Sequence, residues 1–228
     1  MPGRSAGPGA APATASRWIP DGWATCAASG RGAARYGEDV PPPPAARDKV
    51  LDAFQRLLIE HGERETTLDA VARAAGVSKG GLIYHFNSRE ALIEGLLARL
   101  EALADEDLAL MNTASDGPVA YYVRTSACAD SPLDVTMIAA TRLLQRSHSR
   151  TRQVLAAVHD RWYRSLLSAV GDPAIARLVM LVGYGMYYNA TLAGEEAAEL
   201  PRPSEEGVED VIGLVQELIR LRRTAASR

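Results

Sequence analysis

GVSKGGLIYHF, residues 76–86, interrupts a helical pattern with three glycines and sets a Lys, a Tyr and a His among apolar side chains. Gly inside a helix costs about 1 kcal/mol relative to Ala. Yet Gly80 and Gly81 open a short helix that Ser78 caps and Asn87-Ser88 breaks. Small residues at that place make sense if another molecule must approach the backbone closely.

The flanking sequence gives this helix its neighbours. Upstream, Thr67 reads as the N-cap of a helix with Leu68, Val71, Ala72 and Ala75 along one face, and Gly76 ends it. Before that, from Arg47, a first helix carries Val50, Leu51, Phe54, Leu57 and Leu58 at helical spacing, with a stop at His61-Gly62. Downstream, Ser88 caps a long helix that turns Leu92, Ile93, Leu96, Leu97, Leu100 and Leu103 inward and runs to Asn112. Two helices joined by a tight turn through Gly76 form a helix-turn-helix. That unit places its second helix in the major groove of DNA while neighbouring elements grip phosphates.

Charge agrees locally. The chain has 228 residues and a net charge of −3, so it is no polycation and any nucleic-acid surface must be confined. From Ala70 through Arg89 it carries Arg73, Lys79 and Arg89 and no acidic residue, as phosphate contact requires.

With these features together, TTLDAVARAAGVSKGGLIYHFNSREALIEGLL, residues 66–97, resembles the DNA-binding segment of the tetracycline-repressor (TetR) family of bacterial regulators. The Ser-Lys-Gly-Gly start, the aromatic-His-Phe end and the basic-Glu-x-Leu opening of the next helix stand in the family's order, and the match covers about residues 47–100. The resemblance implies that Thr67 caps its helix and touches a phosphate. Ser78, Lys79, Gly80 and Gly81 would face the groove, with Lys79 as a base or phosphate contact. Tyr84 and His85 would hydrogen-bond phosphates. Arg89, where the family usually has Lys, would pair with a phosphate at the start of the long helix. Val77, Leu82 and Phe86 would be core. A catalytic role for His85 has no carboxylate or nucleophile partner in the motif.

The expected architecture is all-α: a three-helix helix-turn-helix domain over 45–100, joined by the long helix to a helical effector-binding and dimerisation domain over 101–226. Helices are expected near 118–128, 132–147, 150–170, 173–193 and 205–223, separated by signals such as Asp130-Ser131-Pro132 and Gly171-Asp172-Pro173. Residues 1–44 are rich in Ala, Gly, Pro, Ser and Arg and read as a disordered extension; an Arg-rich arm touching DNA, a targeting peptide, or a tail preceding a non-Met start at Val40 are the alternatives.

Helix 173–193 is apolar nearly all round, so it must be covered on two sides. Leu178, Leu181, Gly185, Tyr188 and Leu192 form one stripe; Ile175, Val179, Val182, Met186 and Asn189 form another. The first stripe, with Val211, Val215 and Leu218 of the last helix, is the expected homodimer interface. The family pairs two such helices per subunit, which implies a two-fold dimer on a palindromic operator in double-stranded DNA. Met137, Trp162, Tyr163, Tyr184, Tyr187 and Asn189 supply large apolar surface with polar handles, the makeup of a pocket for an apolar or aromatic effector, although ordinary core packing explains each equally well. The run 178–194 is interrupted by three Gly and Asn189 and falls short of a membrane span of about 20 residues. Cys26 and Cys128 match neither zinc spacing nor a disulfide framework, and Cys128 reads as packing in a reducing cytoplasm. No phosphate loop of Walker spacing, metal cluster or catalytic constellation is present, so no cofactor is expected and an all-α enzyme has no support. The reading is a DNA-binding transcriptional regulator, a repressor released from its operator by a small molecule.

Overall fold

The computed structural model describes residues 46–146, 149–192 and 204–226; the sequence reading of residues 1–44, Cys26 included, falls outside them. Within the described residues every regular element is helical. The order is α1 (Ala46–Glu65), α2 (Leu68–Ala75), α3 (Lys79–His85), α4 (Arg89–Thr113), α5 (Pro118–Ser126), α6 (Pro132–Arg142), a 3-10 turn (Leu143–Arg146), α7 (Ser149–Val170), α8 (Pro173–Leu192) and α9 (Glu205–Ala226).

Local chemistry explains the boundaries. Gly62, at φ 73°, kinks α1 where only glycine enters the left-handed region without strain. Thr67, Ser78 and Ser88 each accept a hydrogen bond from the amide three residues on, at 3.2, 3.0 and 3.1 Å. Each thereby satisfies one orphan donor of its helix. Gly76, also left-handed, returns its N–H to the carbonyls of Ala72 and Arg73 and turns the chain from α2 into α3. Ser131 and Asp134 close a reciprocal capping box at the start of α6. Asp172 caps α8 through the amides of Ile175 and Ala174 and pairs with Arg222 of α9; these bonds hold its carboxyl below the usual carboxylate range.

Leu82 and Phe86 of the α3 segment are buried against Val50, Leu51 and Phe54 of α1, Val71 of α2, and Leu92, Ile93, Leu96 and Leu97 of α4. Gly95 lets α4 lie directly on Phe86: a Cβ there would sit 2.7 Å from the ring. The core does not stop at residue 100. It runs on through Met111, Val123, Met137, Trp162, Leu166, Val179 and Ile212 as one apolar cluster. Helix α1 packs on α6 as well as on α2, and the Thr136 hydroxyl, 1% exposed, donates to Gln55 Oε1 at 2.9 Å across that contact. The two expected halves are therefore fastened together by α6 as well as by α4.

Helix α8 separates its two stripes. Ile175, Val179 and Met186 are buried and Val182 is half-buried. Leu178, Leu181, Gly185 and Tyr188 are exposed, and so is Asn189. On α9 the expected face is turned round: Val215 is 5% exposed and belongs to the core beside Val208 and Ile212, and Val211 and Leu218 pack against it. The apolar side chains that α9 leaves exposed are Leu214 and Leu221. Val215 is one residue removed from the outward line, about 100° round the helix. The side chain of Leu192 lies outside the described residues. Cys128 is buried. No helix among the described residues is long and apolar enough to cross a membrane.

Candidate nucleic-acid interface and internal cavity

The outer face of α3 is unlike a core surface. Tyr84 is 86% exposed and Ile83 is 42% exposed, both projecting from a helix of seven residues. The rings of Tyr84 and His85 meet edge to face at 5.1 Å, both exposed. Lys79 stands at the first turn, with its ammonium 3.0 Å from Asp69 of α2; both side chains are more than half exposed, so water screens this pair.

Gly80 and Gly81 differ in their surroundings. A Cβ on Gly80 would find nothing nearer than Ser78 Oγ at 4.0 Å, so nothing inside the protein requires glycine there. On Gly81 it would sit 3.3 Å from the same oxygen and crowd the cap, which is an internal reason for glycine. Thr67 and Ser78 spend a lone pair on their caps and retain an O–H able to donate to an anion. Ser78, Lys79, Gly80, Gly81, Tyr84 and His85 thus lie along the cap and length of α3, while Thr67 stands at the start of α2.

Arg89 does not join them. Its guanidinium donates to the carbonyls of Thr66 and of Glu63 (2.7 Å for the latter) and lies 3.5 Å from the Glu63 carboxylate. The Glu63 side chain is 4% exposed and that of Arg89 27%. The family-based expectation of a phosphate contact is corrected: a planar fork that can bind carbonyls and a buried carboxylate at once is used as an internal clamp. Sequence reading missed two surface groups here. Asp69 faces Lys79, and Arg47 sets its guanidinium 5.2 Å from the centre of the Phe86 ring.

The second site is a cavity of about 160 Å³, partly open to solvent, lined by α4, α5, α6, α7 and α8. Of the six expected residues, Met137, Trp162, Tyr184 and Tyr187 line it. Tyr163 and Asn189 do not: Tyr163 carries Arg177 over its ring at 5.4 Å, and Asn189 points to solvent. Adjacent positions on a helix diverge by about 100°, so Trp162 and Tyr163 could not both face inward. The lining also includes Asp107, Tyr122, Ser126, His159 and Gly183, which the sequence reading passed over. His159 lies three residues before Trp162, on the same face of α7, and that spacing was the available signal.

The cavity wall is built around Asp107. One carboxylate oxygen accepts from Trp162 Nε1 at 2.9 Å, the other from the Tyr121 hydroxyl at 3.0 Å. The His159 ring packs edge to face on Trp162 and on Tyr184, at 5.5 and 5.3 Å, and its Nδ1 lies 2.7 Å from the Leu155 carbonyl. Burial, then the neighbouring Tyr184 and the Asp107 charge, push the Tyr122 phenol above its ordinary range. Burial and then Asp134 do the same for Tyr187. Gly183 makes room for Tyr122: a Cβ would lie 2.4 Å from the ring.

A recognition helix set against a glycine turn, with exposed Lys, Tyr and His side chains, defines a helix-turn-helix DNA-binding domain. Residues 50–96 match the family model described as bacterial regulatory proteins, tetR family. Over this segment the chain is similar to the TetR family of regulators. It is similar to the transcriptional repressor KstR2 of Rhodococcus jostii, 38% identical over 66 residues that make up 25% of this chain and 32% of the relative. The chain spans between 24% and 39% of the length of such curated relatives. Solved structures share the fold over more of it. Salmonella enterica GusR aligns at TM-score 0.55 and 19% identity over 81% of this chain and 98% of its own. The multidrug binding protein EbrR, complexed with malachite green, aligns at TM-score 0.55 and 21% identity over 75% and 98%.

Proposed function

We propose that the protein is a dimeric transcriptional repressor that binds a palindromic operator and is released by an apolar or aromatic small molecule. The observation that carries this reading is the α3 surface. Lys79, Tyr84 and His85 are exposed on a helix whose first turn, at Gly80, is open and has no internal cause to be glycine. The KstR2 name and the EbrR complex support the repressor and ligand-binding parts of it.

The dimer rests on α8. Leu178, Leu181, Tyr188 and, from α9, Leu214 and Leu221 are between 40% and 71% exposed. Large apolar side chains left exposed on both helices suit a subunit interface. A two-fold pairing through α8 and α9 would need to hold the two α3 helices about 34 Å apart, the spacing of successive major grooves.

Selecting bound fragments from the host genome and titrating the resulting duplex by fluorescence anisotropy tests the reading. Binding should fall steeply with salt, and a random duplex should bind far more weakly. Equal affinity for the two duplexes at physiological salt would overturn it. If a small molecule that fills the cavity tightened operator binding instead, the protein would be a corepressed regulator, because the coupling is reciprocal.

A further inference from the structure

Most donors of the cavity wall are turned back into the protein. Trp162 donates to Asp107, Tyr187 to the Asp134 carbonyl at 3.3 Å, Thr125 to the Tyr121 carbonyl at 3.0 Å and Thr141 to the Ile138 carbonyl at 2.7 Å. The Tyr122 and Ser126 side chains bond to one another. His159 is different. Its Nδ1 lies 2.7 Å from the Leu155 carbonyl, and a carbonyl oxygen can only accept, so Nδ1 carries the proton. In the neutral ring Nε2 is then an acceptor, and no group among the described residues donates to it. With Nδ1 turned back to α7, Nε2 is the nitrogen left for the cavity that the ring lines. A hydroxyl such as that of Tyr184 rotates to donate or accept, whereas the role of this nitrogen is fixed by the helix behind it.

We propose that the cavity selects an aromatic molecule bearing a neutral O–H donor, a phenol, with its hydroxyl donating to His159 Nε2 and its ring held beside Trp162 and Tyr184. The proposal rests on the reading of the cavity as the effector site and adds its chemical class. The imidazole sets the donor. A ligand acceptor placed against Nε2 would meet it lone pair to lone pair and leave both desolvated without a proton between them. A carboxylate offers acceptors only, and no Lys or Arg lines the cavity to receive it. The neighbouring rings set the aromatic part. His159 meets Trp162 and Tyr184 edge to face, at 5.5 and 5.3 Å between ring centres, so a group bonded to the imidazole stands within reach of both. Tyr122, its ring centre 6.4 Å from that of Trp162, extends the same wall. Because the cavity is partly open to solvent, the remainder of such a ligand can extend outward.

The test is calorimetric titration of the full-length protein with para-ethylphenol and para-ethylanisole, which share a ring and differ in the donor. The wild type should bind the phenol about tenfold more tightly than the ether. His159→Phe keeps a ring against Trp162 and Tyr184 but offers no acceptor, and there the two affinities should agree within about twofold. Thermal denaturation establishes that the variant folds; if it does not, the wild-type comparison alone decides. The ether binding to wild type as tightly as the phenol overturns the proposal. So does a preference left unchanged in folded His159→Phe, or no binding of the phenol at millimolar concentration. A preference for the phenol that depends on His159 but leaves operator affinity unchanged sustains this inference and removes the effector role instead.

Discussion

Replacing Arg89 by Ala separates a clamp from a phosphate ligand. In the folded protein the guanidinium serves two backbone carbonyls and the Glu63 carboxylate, which is 4% exposed. Removing one partner of a buried ion pair costs about 3–5 kcal/mol, because the other charge stays desolvated. Arg89 is itself 27% exposed, so water can replace part of what is lost, and the expected cost falls to about 2–3 kcal/mol. For a chain of this size that lowers Tm by about 4–12 °C. Glu63→Gln should recover part of the loss in the Arg89→Ala background, and the double-mutant cycle should show a coupling of about 0.5–3 kcal/mol. Thermal denaturation of the four proteins in one buffer is the assay. If Arg89→Ala melted with the wild type and instead flattened the salt dependence of DNA binding by about one counterion, the clamp would be wrong.

Lys79→Ala and Tyr84→Phe should leave Tm unchanged and weaken operator binding, with the salt slope flattening by about one for a lost phosphate contact or specificity relaxing by about 1–3 kcal/mol at one base for a lost base contact; wild-type anisotropy curves for both would displace α3 from the groove. Gly185→Leu meets open space within the subunit, so a shift from dimer to monomer in light scattering would come from the partner surface, at about 1–3 kcal/mol of overpacking; an unchanged dimer would take α8 out of the interface. Gly183→Ala, two residues away, must displace the Tyr122 ring, so it should cost about 1–3 kcal/mol and reduce ligand affinity in calorimetry, and full retention of both would show that the ring has room to move.

What the sequence made legible follows the range of the interaction. Caps at Thr67, Ser78 and Ser88, the turn at Gly76 and the apolar spacing of α4 are determined within four residues, and these elements fall where spacing and caps place them. The two-stripe character of α8 is likewise written in its own period. Arg89 was misjudged because its partner Glu63 lies 26 residues upstream, and the family pattern offers a phosphate for the same charge. Val215 was misjudged because an amphipathic period gives a buried face without saying whether a subunit's own core or a partner covers it. The cavity was half visible. Its aromatic members stand out by type, but Asp107, Ser126 and Gly183 look like surface or filler until five helices bring them to one place.

If the cavity holds the proposed effector, its route to DNA follows from where the long-range contacts sit. Helix α6 carries Leu133, Asp134, Met137 and Thr141 on the cavity side and Thr136 on the side facing Gln55 of α1. Helix α4 carries Asp107 in the cavity wall and Arg89 at its other end, separated by about 27 Å of helix. A tilt of about 5° over that length displaces one end by roughly 2 Å relative to the other. A loop at Arg89 would absorb such a displacement. The clamp prevents that, because Arg89 grips the carbonyls of Glu63 and Thr66, where α1 ends and α2 begins. Motion of α4 would therefore carry α1, α2 and α3 as one body, and in a dimer it would change the separation of the two recognition helices without melting either. A ligand that favours the tilted state by a few kcal/mol is enough to move the population, since only differential affinity for the two states counts.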